Sequence, residues 1–165
     1  MGVISSSILD VFQLNHELNK QGGNIIMGMT NYLKNSILED LFRGVAYSSP
    51  SVVYIALSKT APTELGTNCT EPSAASYERL SVTSNEVNWA TAVNGSLSNS
   101  VALRFTEAEE SWTSQASPIT HWAIFDAPTD GNMLFFGSLS RSQEIPRGSI
   151  LEIPESGLVT TIINQ

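Results

Sequence analysis

The sequence predicts a mainly β protein: an antiparallel, jelly-roll-like β-sandwich, preceded by an amphipathic helix and an N-terminal arm. Three observations lead to this prediction. A strong hairpin pattern spans residues 119–139, further short β-rich segments lie on both sides of it, and no helix long enough for β-α-β crossovers separates them. Many short strands in one small chain suit two packed sheets better than one open sheet.

The hairpin is the clearest local signal, because a short loop with Asp130-Gly131 separates two strongly apolar runs. Gly tolerates the positive φ of a tight turn, and Asp bonds readily to nearby backbone. Trp122 and Ile124 would lie on one face of the first strand and Phe125 on the other. Both faces of the hairpin therefore need a cover, such as a sandwich interior or a subunit contact.

An amphipathic helix precedes the β region. Thr30 is placed as an N-cap, and Gly44 is placed as the residue that ends the helix. The residues between them carry apolar side chains at helical spacing, so we expect the helix to pack on the β domain. The apolar positions are Leu33, Ile37, Leu38, Leu41 and Phe42.

Residues 1–28 are predicted to be an N-terminal arm, and residues 29–165 a single domain of helix and sandwich. Within the arm, Ser7 could cap a short helix with Ile8, Val11, Phe12 and Leu18 near one face. An isolated helix of this length is marginal in water. Two alternatives stay open: an arm that orders on a neighbouring subunit, or a helix packed on its own domain.

The remaining sequence divides into predicted strands and loops. Segments 61–76 and 84–100 are rich in Ser, Thr, Asn, Gly and Pro and are predicted surface loops. Runs rich in β-branched and aromatic residues indicate the strands. The predicted strands are 52–58, 77–83, 101–105, 119–126, 133–139, 150–153 and 158–163.

Composition excludes several classes of function. The 16 acidic residues outnumber 8 basic ones, giving a formal charge of −8 without a basic stripe. Direct binding to nucleic acid or to an anionic membrane is therefore disfavoured. Only 15% of residues are charged, which favours stable association with other proteins. The single cysteine, Cys69, excludes an internal disulfide, and we expect a soluble chain made without export.

Candidate chemistry is weak throughout, so we predict no enzyme, no cofactor and no metal site. His16 and His121 are the two histidines, and His121 fits a hydrogen-bonded core or interface position better than a base. The acidic group at 107–110 matches no calcium loop. Asp126 and Asp130 are expected to shape the hairpin turn, and Cys69 lacks an adjacent basic residue that would activate it.

Two tryptophans in polar surroundings are candidate contact residues. Trp89 and Trp112 could stack on a sugar or fill a neighbour's pocket, or each could fold back over an end of the sandwich. A carbohydrate-binding sandwich therefore remains an alternative function. The predicted assembly contacts are Ile8, Val11, Phe12, Leu18, Trp89 and Trp112.

The stretches TNYLKNSILEDLFRGVAYSSPSVVYIALSKTAPTE, YERLSVTSNEVNWA and ITHWAIFDAPTDGNMLFFGSLS follow one another along the chain. In this order the chain resembles a family of small tailed-bacteriophage virion proteins, often labelled tail-fibre proteins. The resemblance covers residues 29–163 and includes no catalytic motif. It implies a structural component of the virion.

Two roles in the particle follow from this resemblance. The favoured role is a capsid cement or decoration protein that binds at capsid-subunit junctions and stabilises the head. The alternative is a tail or tail-fibre component. The expected partners are the major capsid protein or tail proteins, together with copies of the chain in a homo-oligomer, for which a trimer is favoured. We expect the protein in the virion, assembled in the host cytoplasm.

Overall fold

The computed structural model describes residues 27–162, which form one helix and nine strands. Most strands are short, and the longest is the second strand of the predicted hairpin. In chain order the elements are β1 (Met27–Met29), α1 (Asn31–Arg43), β2 (Val52–Ser58), β3 (Leu80–Thr83), β4 (Ser96–Ser98), β5 (Leu103–Arg104), β6 (Ile119–Phe125), β7 (Met133–Gln143), β8 (Glu152–Ile153) and β9 (Val159–Thr161).

Five strands form the main sheet in the order β1-β7-β6-β2-β3, and every neighbouring pair is antiparallel. Two further antiparallel pairs, β4-β9 and β5-β8, form small sheets. The fold is therefore mainly β with antiparallel sheets and one helix, as predicted. The jelly-roll arrangement remains a prediction.

The β6–β7 hairpin is confirmed, together with its turn. Asp130 and Gly131 have φ values of 51° and 73°, in the left-handed region that a tight turn requires. The Asp126 carboxylate accepts hydrogen bonds from the backbone N–H of Asn132 at 2.7 Å and from its side-chain amide at 2.8 Å. Asp126 and Asp130 thus shape the turn, as expected from the sequence.

Both faces of the main sheet are covered, as the apolar hairpin predicted. On one face Leu57 and Trp122 pack in a cluster with Leu33 of α1 and with Leu103 and Ile153 of the β5-β8 sheet. A second cluster holds Ala56, Ala123, Phe125, Met133 and Phe136, and the half-buried Cys69 from the loop after β2 packs against it. The layering fits the predicted sandwich.

Several boundaries differ from the predictions. β1 and β4 were not predicted, and β4 lies inside the predicted surface loop 84–100. Ser96–Ser98 is extended because β9 supplies its hydrogen-bonding partner, which the polar local sequence does not indicate. β3 begins only at Leu80, and β7 continues to Gln143. The predicted arm helix lies outside the described residues, and the division into arm and domain remains a prediction.

Candidate interaction surfaces

The first turn of α1 is fixed to the main sheet by a buried threonine. Thr30 is the N-cap, and its hydroxyl accepts from the N–H of Leu33 and donates to the carbonyl of Met133. Its own N–H donates to the Leu134 carbonyl at 3.0 Å. Leu33 is buried, and Gly44 ends the helix with φ 67°. The start and end of the helix are therefore as predicted.

The first half of α1 packs on the β domain, as predicted, but the apolar side chains of its second half do not pack on the described part of the domain. Its exposed fractions are 53% for Leu38, 69% for Leu41 and 80% for Phe42, and Val45 beyond the helix is 53% exposed. Only the early turns, through Leu33 and the half-buried Ile37, reach the core. We call Leu38, Leu41, Phe42 and Val45 the α1 stripe.

A second apolar surface is a groove of about 390 Å³ beside α1. It lies between the helix, the main sheet and the β4-β9 sheet, and none of its lining residues within 27–162 is charged. Trp89 is half-buried at this groove and packs against the core cluster. We call it the Trp89 groove; its main lining residues are Leu33, Tyr47, Val53, Trp89, Leu97 and Phe135.

A third feature, on the far side of the main sheet, is a polar cleft of about 600 Å³ around Arg79. The Arg79 side chain is only 8% exposed and pairs with Glu71 at 2.7 Å. It donates to the carbonyls of Ala127 at 2.9 Å and Asp130 at 2.8 Å, and lies 3.7 Å above the centre of the Phe125 ring. These contacts occupy the guanidinium, and they connect the loop before β3 to the hairpin turn.

Tyr77 continues the Arg79 network towards the core. Its hydroxyl accepts from the N–H of Leu57 at 2.9 Å and donates to Glu71 at 3.0 Å. Burial, followed by the nearby Glu71 carboxylate, raises the pKa of Tyr77 far above its ordinary value. The phenol is thus a structural hydrogen-bonding group that stays neutral. Sequence reasoning singled out neither Arg79 nor Tyr77 as a structural anchor.

The residues considered for chemistry occupy structural positions. His121 is half-buried, its Nδ1 lies 2.8 Å from the Thr120 hydroxyl, and burial lowers its pKa. Burial raises the pKa of the Cys69 thiol. Glu110 accepts from the backbone N–H of Ala75 at 2.6 Å. In residues 27–162, no group of His, Cys, Asp and Glu could hold a metal ion.

The two tryptophans predicted as contact residues have different environments. Trp112 is 3% exposed, its indole donates to the Ser76 hydroxyl at 3.0 Å, and its ring meets Tyr77 edge-on at 5.3 Å. Trp112 therefore packs into the domain, which was the alternative to a contact role, and it has no exposed ring face on which a sugar could stack. Trp89 keeps partial exposure at its groove. The other predicted contacts, Ile8, Val11, Phe12 and Leu18, lie outside the described residues, as does His16.

Comparison with known families identifies the kind of protein. A family model described as Podophage GP4 fiber I protein gp80 matches residues 28–161. The chain belongs to this family. The resemblance to phage tail-fibre proteins is therefore confirmed, and the match covers the helix and all but the first residue of the described strands. No curated protein matches the chain.

Because the chain belongs to the gp80 fibre family, the three surfaces are those of a structural component of the virion. The α1 stripe and the Trp89 groove are apolar and accessible. In the Arg79 cleft, by contrast, the charged side chain of Arg79 already pairs with groups of its own domain. Within residues 27–162, no helix is long and apolar enough to cross a membrane. The accessible apolar surfaces are thus the candidates for contacts with other proteins.

Proposed function

We propose that the chain is a non-enzymatic structural component of a bacteriophage tail fibre, held in the virion by protein–protein contacts. The observation that carries the proposal is the gp80 fibre-family match over residues 28–161. The arrangement of His121 and Cys69 in hydrogen-bonded or half-buried structural positions supports a role without catalysis. The cement role is the competing prediction, and it places the chain on the head.

We further propose that the α1 stripe joins copies of this chain into a homo-oligomer, with a trimer favoured. Apolar side chains at positions 38, 41 and 42 follow the spacing with which one helix packs against another, and Val45 lies just beyond the end of the helix. In α1, Lys34 and Arg43 balance Glu39 and Asp40, so the helix is neutral in a chain of charge −8. Two such helices can therefore meet without the repulsion that the rest of the acidic surface would cause.

The stripe is tested by Phe42→Ser in the full chain. Burying one large apolar side chain contributes about 1.5–3 kcal/mol, so its loss should weaken each contact by roughly 10- to 100-fold. Light scattering after size exclusion should give a smaller mass at a given concentration. Asn35→Ser, at an exposed polar position of the same helix, should leave the mass unchanged. Equal masses for Phe42→Ser and the wild type would refute self-association through the stripe.

The fibre role is tested by separating disrupted particles into head and tail fractions. A fibre component should be recovered with the tails, detected by an antibody raised against the chain. Recovery with the heads would favour the cement role instead. Absence from both fractions of particles that infect normally would contradict a virion role altogether.

A further inference from the structure

We propose that the Trp89 groove is the binding site for the chain's own N-terminal segment, residues 1–26, which docks there through its apolar positions Val11 and Phe12. The proposal goes beyond the fibre role, because it assigns the groove an internal occupant whatever the location of the protein in the particle. It concerns a different surface from the α1 stripe.

The groove has the character of a site for an apolar chain segment. Val53, Leu97 and Phe135 are only partly buried there, although each carries an apolar side chain from a strand. The polar side chains of the described lining are neutral, namely Tyr47, Ser49, Ser84 and Thr160. A volume of about 390 Å³ is small, so it suits a few side chains from one helix face or one extended strand.

The chain enters the described structure next to this groove. β1 pairs with β7, and Met29 lies opposite Phe135 of the groove lining. From strand geometry, Met27 is about 8 Å from Phe135. The nine residue-to-residue steps from Leu18 to Met27 can span up to about 30 Å, so the apolar positions before them reach the groove without strain. β1 also contacts β9, and Thr160 of β9 lines the groove. β1 therefore lies on the side of the domain that carries the groove.

The composition of residues 1–26 matches the lining. The segment contains Ile8, Val11 and Phe12 at spacings that place them on one face of a helix. Its charged side chains are Asp10, Glu17 and Lys20, so its net side-chain charge is −1 out of −8 for the chain. Docking therefore buries apolar surface without bringing an excess of like charge to an uncharged groove.

Covalent attachment decides between this segment and the same segment of a second copy. A short tether gives the attached segment an effective concentration on the order of millimolar at a neighbouring site. A second copy of the chain must compete from solution at a much lower concentration. The chain's own segment is therefore the favoured occupant, and an exchanged segment is the outcome that the experiment must distinguish.

Quenching of tryptophan fluorescence by acrylamide tests the docking in the full chain. Trp112 and Trp122 are 3% and 2% exposed, so accessible quenching reports on Trp89. Phe12→Asp should release the segment and raise the quenching constant by about twofold or more, because Trp89 loses its cover. Gln13→Asp, which adds the same charge on the opposite helical face, should quench like the wild type. Equal quenching in Phe12→Asp and Gln13→Asp would overturn the proposal.

A cross-link identifies which chain supplies the segment. In a Cys69→Ser background, Leu97→Cys is combined with Phe12→Cys or Val11→Cys and oxidised gently; a disulfide requires Cα atoms within about 7 Å. Cross-linked monomers support docking within one chain, and the Gln13→Cys pair should cross-link far less. Cross-linked dimers would overturn the proposal in favour of an exchanged segment. Failure of both pairs to cross-link would overturn the docking itself.

Discussion

Replacing Arg79 by Met should weaken the link between the loop before β3 and the hairpin turn. The side chain is 8% exposed, and its guanidinium contacts the Glu71 carboxylate and the carbonyls of Ala127 and Asp130. Met preserves the length of the apolar stem above Phe125, so packing on the ring is largely retained. The substitution removes the positive charge and the guanidinium N–H donors, so Glu71 loses its cationic partner.

The magnitude follows from the burial of the pair. Removing one partner of a buried ion pair costs roughly 3–5 kcal/mol, because the remaining charge is left uncompensated. Glu71 keeps 24% of its side chain exposed, which places the expected loss at the lower end, about 3 kcal/mol. For a chain of this size, 1 kcal/mol changes Tm by roughly 2–4 °C. Arg79→Met should therefore lower Tm by about 6–12 °C.

Thermal and urea unfolding of the full chain, followed by circular dichroism, measures this loss. Arg43→Met is the matched control, because Arg43 pairs with Glu39 on the exposed side of α1 and should cost only about 0.3–0.5 kcal/mol. Arg79→Lys keeps the charge but not the fork, so its loss should be intermediate. Equal losses for Arg79→Met and Arg43→Met would refute the claim that Arg79 anchors the turn.

Two further substitutions test other structural anchors. Thr30→Ala removes the N-cap and the hydrogen bond to Met133, so urea unfolding should show a loss of about 1–2 kcal/mol, most of which Thr30→Ser restores. Tyr77→Phe deprives the buried Leu57 N–H of its acceptor, so stability at pH 7 should fall by about 1–3 kcal/mol. The native pKa of Tyr77 is raised, so its contribution is present below pH 10 and lost above it. Urea midpoints of Tyr77→Phe should therefore fall less steeply above pH 10; a fall as steep as in the wild type would contradict this.

The parts of the fold predicted correctly are those that neighbouring residues determine. The strand over Val52–Ser58, the caps Thr30 and Gly44, and the turn at Asp130-Gly131 depend on local alternation, capping and backbone preferences. β4 could not be predicted in the same way. Its three residues are extended because β9, more than 60 residues away, pairs with them.

The candidate surfaces show a similar division. The apolar period of α1 was predicted, but the pattern does not say which turns the sheet covers, and Leu41 and Phe42 are exposed. Trp112 lies in the polar stretch EESWTS, yet it is buried because Tyr77 and Phe105 meet it from other parts of the chain. The Arg79 network likewise joins residues separated by up to 51 positions. Contacts between distant segments decide these features, and the local sequence does not reveal them.

Imaging intact particles with a gold-labelled antibody against the chain tests the fibre role most directly. A component of a tail fibre should place the gold on fibres attached to the tail, and particles lacking the chain should remain unlabelled. Gold distributed over the head would contradict the fibre role and restore the cement hypothesis. Particles from the source that carry no gold anywhere would contradict a place in the virion.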